Sequence, residues 1–547
     1  LSRSFTLAVL YRAIDLSHLL AYRPRVLKVY RQLFEENQRR DKLLMDATSR
    51  KSAEPLQLVR GLSLLDATMI VVGSMIGSGI FIVSAKSAAL VGAPGWLLAA
   101  WALAGVLTIT GALCCAELAA MMPRAGGQYV FLREAYGPAT GFLFGWSLFF
   151  VVQTGTIAAV AVAFANFMGV LTNRVSESAY IIRPIRLGSY AITLSTQQLV
   201  AILLIVFLTF ANTRGLKTGK LIQNTFTFTK TAALIGLILI GLLLGWNGSS
   251  AAQTSSWWNP WANAGWNPGA VQPGLETSNG LWLAMLLGLA MVGPLFAQSA
   301  WNNVTFTGSE VREPGRNLPR ALLIGCGTVV ALYLLANLAY IVTLPFSVFP
   351  GLQKPPNTVA TETMKAVMGQ PGMIAMAIAI MIATFGCNNG LILAGARIYY
   401  AMARDGLFFK RAGTLSSRHV PVVAIVAQGI WASLLTLPRT VTAGAKAGEL
   451  KYGNVYGQLL DYVISADLIF YALMVGAVFV MRRKAPSLER PYRTFGYPIV
   501  PVIYIVIALL LVLDLAYLTP ATAGIGYLLV LTGIPVYFIW RKQARAL

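Results

Sequence analysis

Apolar residues run in long, nearly unbroken stretches from about position 62 onward, and polar residues collect in the short breaks between them. Stretches of this length suit helices that cross about 30 Å of hydrocarbon, not the alternating faces of soluble helices. They lie near 62–86, 95–120, 141–170, 196–213, 220–246, 281–310, 319–346, 374–405, 421–438, 455–481, 498–519 and 522–541. The pattern predicts an all-α polytopic membrane protein with about twelve transmembrane helices. Residues 1–60 stand apart. The segment "LLAYRPRVLKVYRQLFEENQRRDKLL" is polar and basic. Its partial helical periodicity fits either an amphipathic helix on the anionic inner leaflet or a solvated tail.

Composition agrees with the pattern. Charged residues make up 12% of the chain, about half the share in a soluble domain. The net charge of +23 invites a nucleic-acid partner, but the placement of Lys and Arg excludes it. They cluster in alternate breaks, as topology signals do. With the N-terminal extension inside, the inner breaks include Arg214, Lys217 and Lys220, then Lys410, Arg411 and Arg418, then Arg482, Arg483 and Lys484. The outer loop 247–280 has no Lys or Arg and carries Trp257, Trp258, Trp261 and Trp266 instead, residues suited to an interfacial belt. Both termini are therefore expected in the cytoplasm. Cys114, Cys115, Cys326 and Cys387 have no metal-ligand spacing and read as small packing residues. Only two histidines occur, so neither a metal site nor a His-based triad is expected, and no cofactor.

One stretch runs against the apolar background. "VVGSMIGSGIF", residues 71–81, places three glycines and two serines inside the first span. Each glycine costs a helix interior about 1 kcal/mol relative to alanine. A phosphate loop would need a preceding strand and a following Lys, which are missing. A packing face is consistent with Gly73 and Gly77, four apart, but Gly79, Ser74 and Ser78 exceed what packing requires. The remaining reading is a helix broken at mid-membrane depth. A break is tolerated there only where freed N–H and C=O groups line a cavity or bind something. Amides at the restart suit an anion, and carbonyls before the break suit a cation. Five spans later, "VGPLFAQSAWNN" interrupts span 6 with Gly293, Pro294, Gln298, Ser299 and Asn302. Interrupted spans at corresponding places in two oppositely oriented halves point to a transporter's binding site.

Those two segments, with "AELAAMMPRAGGQYVFLREAYGP" at 116–138, "FAQSAWNNVTFTGSEVREPGRNLPRA" at 296–321 and "RPYRTFGYPIVP" at 490–501, resemble the amino acid–polyamine–organocation superfamily. The resemblance is greatest to its L-type amino acid transporter branch and that branch's bacterial relatives. It implies a LeuT-like fold of two inverted five-helix repeats, 61–246 and 281–481, followed by helices 11 and 12 at 498–541. Helices 1 and 6 are then unwound at the midplane. It also implies transport of L-amino acids across the plasma membrane (the inner membrane in a bacterium) by alternating access, independent of sodium, as an exchanger or with protons. Carried over by residue, the substrate carboxylate meets Gly77, Ser78 and Gly79. The amine meets Met75, Phe296 and Ser299. Phe296, Trp301 and Asn302 form the gate and pocket. Lys230, deep in span 5, matches the lysine that stands where sodium-coupled relatives hold the ion; snorkelling to the interface is the plainer alternative. Animal L-type chains join a heavy chain through a Cys between spans 3 and 4. No Cys occurs from 169 to 196, so no disulfide-linked partner is expected.

Other ionisable residues fall at span ends. Glu117, Glu310, Arg397 and Asp405 read as structural ion pairs or closing gates. Asp467, in "VISADLIFYAL", departs from the uncharged residue that the resemblance implies. Pairing with a nearby Lys or Arg ranks first, ahead of a role in side-chain specificity or proton transfer. Competing functions are a cationic amino acid or polyamine carrier and a transporter-like sensor. A membrane enzyme and an ion channel lack the residues they require: no nucleophile–base–orienter set or charged pore is present.

Overall fold

The computed structural model describes residues 60–188, 190–262, 266–268, 272, 275, 281–354, 357–443 and 450–545. The expectation for the N-terminal extension falls outside them, and the following concerns the unit Leu58–Leu547. Its helices, in order, are α1 Leu64–Met75, α2 Gly79–Val91, α3 Pro94–Met121, α4 Gln128–Tyr136, α5 Pro138–Ser147, α6 Gln153–Leu171, α7 Thr196–Thr213 and α8 Leu216–Leu244. They continue with α9 Trp282–Ala297, α10 Asn303–Phe306, α11 Pro314–Thr343, α12 Val359–Arg404, α13 Val422–Leu435, α14 Val455–Lys484, α15 Ile499–Leu518 and α16 Pro520–Arg545. A π-helical turn, Leu148–Val152, joins α5 to α6 in one span. Among the described residues nine spans are long and apolar enough to cross a membrane, the bent pair α1–α2 makes a tenth, and α9 and α13 are shorter apolar helices. This is a multi-pass membrane protein.

Helices prevail because hydrocarbon offers no partner for backbone N–H and C=O groups, so each span must satisfy its own. Their starts carry local signals. Ser63 and Asp66 form a capping box before α1, and Ser195 with Gln198 does the same before α7. Pro94, Pro138 and Pro314 occupy first helical positions, where a missing N–H costs nothing.

Two features depart from the sequence pattern. Helix α12 begins at Val359, well before the apolar run at 374, and is interrupted at Gly369, whose φ of 66° and ψ of −157° only glycine adopts readily. Its opening turns are amphipathic, so hydropathy alone misses them. In addition, β1 Tyr180–Leu187, β2 Tyr190–Ser195, β3 Pro438–Ala443 and β4 Leu450–Tyr452 form an antiparallel sheet in that order. It joins the loop before α7 to the loop before α14, and the Arg439–Glu177 ion pair (3.3 Å) ties the two loops together. Pairings this distant in sequence leave no local periodicity long enough to read.

Candidate functional site

Span 1 breaks where the glycines predict. Helix α1 stops at Met75, Ile76 is extended at φ −73° and ψ 90°, and α2 restarts at Gly79 with a 42° bend. The first amides of a helix have no acceptor within it and form its positive end. Among the described residues, no carbonyl or side chain takes the Gly77 or Ser78 amide. The carbonyls before the break are instead each met by a donor from another helix. Lys230 of α8, fully buried, donates to Gly73 O and to Ile76 O at 2.7 Å. Its ammonium lies at the break and does not snorkel. Cys387 Sγ of α12 donates to Ser74 O at 3.2 Å. The Tyr333 hydroxyl of α11 lies 2.9 Å from Met75 O and 3.3 Å from Ala297 O, so it touches both interrupted spans.

Span 6 breaks opposite. Helix α9 ends at Ala297 and α10 begins at Asn303; between them Ala300 has a φ of 64°. A non-glycine residue held in this left-handed region costs about 1–3 kcal/mol and persists only where surrounding structure imposes it. The Phe296 carbonyl accepts from Ser299 N at 3.1 Å and Ser299 Oγ at 2.8 Å. The Phe296 ring meets Tyr456 edge-on with centroids 6.3 Å apart, and the Tyr456 hydroxyl lies 3.0 Å from Ser78 Oγ. At Gly79, a Cβ would lie 2.5 Å from Ala297 Cβ and 2.8 Å from Ala297 Cα. The two breaks are in backbone contact.

Met75, Gly77, Ser78, Gly79, Phe296 and Ser299 therefore meet at one place. Trp301 and Asn302 sit beyond it: Trp301 stacks on Tyr471 with centroids 5.2 Å apart, and Asn302 donates to Gln128 Oε1 at 2.6 Å. Gln128 in turn donates to Phe470 O at 3.1 Å, linking α4 to α14. The Gly73 and Gly77 face packs inside the chain, against Gln223 and Cys387, and not on another copy. Sequence reasoning missed Tyr333, Tyr456, Cys387 and Gln128. A tyrosine within an apolar span is the one signal that marks the first two, since its hydroxyl needs a partner there.

A family model for amino acid permeases matches residues 62–539. The chain belongs to the amino acid permease family. It is similar to the b(0,+)-type amino acid transporter 1 of Homo sapiens, 29% identical over 90% of this chain and 91% of that protein. The Large neutral amino acids transporter small subunit 2 of Homo sapiens is 29% identical over 89% of this chain and 82% of its own length. The Asc-type amino acid transporter 1 of Homo sapiens is 26% identical over 90% and 85%. The family consists of permeases, so this protein is a transport protein and not an enzyme.

In this permease the ionisable residues at span ends form ion pairs. Glu310 and Arg397 pair at 2.8 and 3.3 Å with both side chains buried, tying the end of span 6 to α12. Glu117 accepts from Arg482 at 2.9 and 2.7 Å and from the Thr494 amide at 2.7 Å, and Arg490 lies 3.7 Å away. The motif at 490–501 thus anchors the α14–α15 connection on α3. Asp405 pairs with Arg133 and accepts from Tyr129 at 2.8 Å. Burial, then the bond to Asp405, push the Tyr129 hydroxyl well above its ordinary pKa, so it stays a donor. Asp467 corrects the sequence reading. Among the described residues no Lys or Arg pairs with it. It lines a cavity with Ser299, Trp301 and Tyr471.

Proposed function

We propose that this permease carries L-amino acids across the plasma membrane by alternating access, without sodium, by exchange or with protons. The observation that carries the reading is the meeting of the two breaks at Gly79 and Ala297. Amides at the start of α2 suit a carboxylate. On the other side the Met75, Phe296 and Ser299 carbonyls suit an ammonium, which would share the Met75 oxygen with Tyr333 and displace a Ser299 donor from the Phe296 oxygen. A zwitterion satisfies both, with Phe296 covering it and Trp301 and Asn302 closing the pocket's far end. The broken spans would stand at corresponding places in two five-span repeats, 61–246 and 281–481, where transporters place their binding site. The relatives' names also speak for amino acid substrates.

Counterflow of labelled amino acids in proteoliposomes tests the reading. Amino acids with free amino and carboxyl groups should exchange, and their amides and esters should not compete. Equal competition by the carboxyl-blocked forms, or no counterflow at all, would overturn it.

The same reading puts both termini in the cytoplasm. Ser255 is exposed in the loop between α8 and α9, and the four native cysteines are buried. A Ser255→Cys variant lacking them should react with an impermeant maleimide on intact cells. Reaction only after permeabilisation would invert the topology.

A further inference from the structure

Among the described residues Asp66, Glu117, Glu310 and Asp467 are the buried acids. Glu117 and Glu310 each pair with an arginine. Asp66 accepts from Ser63 at 2.8 and 2.9 Å and from Asn224 at 2.8 Å. No Lys or Arg among the described residues pairs with Asp467, which lines a cavity of about 20 Å³, room for about one water. The polar-capable side chains around it come from four places: Thr108 of α3, Ser299 and Trp301 of the break in span 6, Tyr471 of α14 and Tyr504 of α15. The rest of the wall is leucine, isoleucine and alanine, and the two tyrosines are its other titratable groups. Helices α4, α6 and α16 meet α14 through Gln128, Gly155 and Gly526, and none brings a charged side chain to the cavity.

An ionised carboxylate buried without a counter-charge is costly, and such residues in membrane proteins mark the path of a ligand or ion. The size of the cavity selects which. It is too small for a cationic side chain. A hard metal ion takes about six oxygens, and much of the wall is hydrocarbon. A proton needs no such shell, and it removes the charge from the carboxylate. We propose that Asp467 is the proton site of this transporter: it takes up one proton from one side of the membrane and releases it to the other, so that a proton accompanies each amino acid. The coupling runs through the break in span 6. Ser299, which the transport reading places at the substrate amine, shares the cavity with Asp467, and the Tyr471 hydroxyl lies 3.5 Å from Asn302 Oδ1. Closing the site around an ionised Asp467 buries an unpaired charge; closing it around the protonated acid does not. Asp514 of α15 is the contrast. Its oxygens are also buried without a hydrogen-bond partner, but it rests on Gly288 of α9, well before the break.

The inference rests on the transport reading above, and the test separates the two. The labelled standard amino acid with the largest counterflow in proteoliposomes serves as probe, with the membrane potential clamped. With the outside more acidic by about one pH unit, wild type should accumulate the probe severalfold, up to about tenfold for one proton per amino acid. A protonophore should abolish the accumulation, and replacing sodium by choline should not change it. In Asp467→Asn, where the amide stands in for the protonated acid, accumulation should vanish while counterflow persists. Asp514→Asn should accumulate like wild type. A second reading needs no transport: the carboxylic acid C=O stretch in the infrared spectrum of purified wild type should lose a component in folded Asp467→Asn, or in Asp467→Ser should the first variant not fold. If counterflow is lost as well, this reading decides. Counterflow without acid-driven accumulation in wild type overturns the proposal. So does acid-driven accumulation in Asp467→Asn, its loss in Asp514→Asn alone, a sodium requirement or an unchanged infrared band. Absence of counterflow with every amino acid would instead overturn the transport reading itself.

Discussion

Gly79→Val is expected to abolish amino acid binding and counterflow. The reason is more direct than the loss of a flexible backbone. A Cβ at position 79 would fall 2.5 Å from Ala297 Cβ and 2.8 Å from Ala297 Cα. No rotamer relieves a contact with a backbone atom, so the two broken spans must separate. They carry the proposed carboxylate and amine partners, and ångström displacements of positioned groups cost about 100-fold in comparable sites. Even Gly79→Ala should impair function severely, because the methyl group already overlaps. Gly236→Ala on α8 is the control: nothing lies within 4 Å of its added Cβ, and alanine is the better helix former. Binding is read as thermal stabilisation of purified protein by substrate, and folding as monodisperse elution. Wild-type stabilisation in folded Gly79→Val would remove Gly77, Ser78 and Gly79 from the site.

The glycine pattern in "VVGSMIGSGIF" was legible because it violates helix propensity inside an apolar run, where only a local purpose explains it. Its partners were not equally legible. The Tyr333 hydroxyl, which touches the carbonyls of Met75 and Ala297, lies 258 and 36 residues away from them along the chain. Nothing near Tyr333 in sequence announces those contacts. The polytopic helical fold was readable from hydropathy, since each span must be apolar over the membrane's width. The start of α12 at Val359 and the four-stranded sheet were not, because amphipathic turns and long-range strand pairs lack that signature. Asp467 shows the limit for charge. The sequence marks it as unusual, but only three-dimensional packing decides whether a cation stands beside it; among the described residues none pairs with it, and Trp301, Tyr471 and Tyr504 line the space with it.

Lys230→Ala is expected to leave a folded protein with counterflow reduced or strongly asymmetric between the two membrane faces. Lys230 Nζ donates to Gly73 O and Ile76 O, carbonyls on either side of the last turn of α1. An ammonium has three hydrogens to donate and nothing to accept with. It can therefore satisfy carbonyls freed by the break, as a bound sodium ion would, and this is the physical basis for expecting sodium independence. Removing it strands those carbonyls in a buried setting at about 1–3 kcal/mol for each. A shift of that size changes a two-state population by about 5- to 150-fold, enough to hold the carrier in one orientation without unfolding it. Lys230→Met, which keeps the stem's bulk and loses the donors, should behave like Lys230→Ala. Agreement between the two assigns the defect to the lost hydrogen bonds rather than to a cavity. Replacing sodium by choline should leave wild-type uptake unchanged. A strict sodium requirement in wild type would refute the role of Lys230, as would normal kinetics in folded Lys230→Ala.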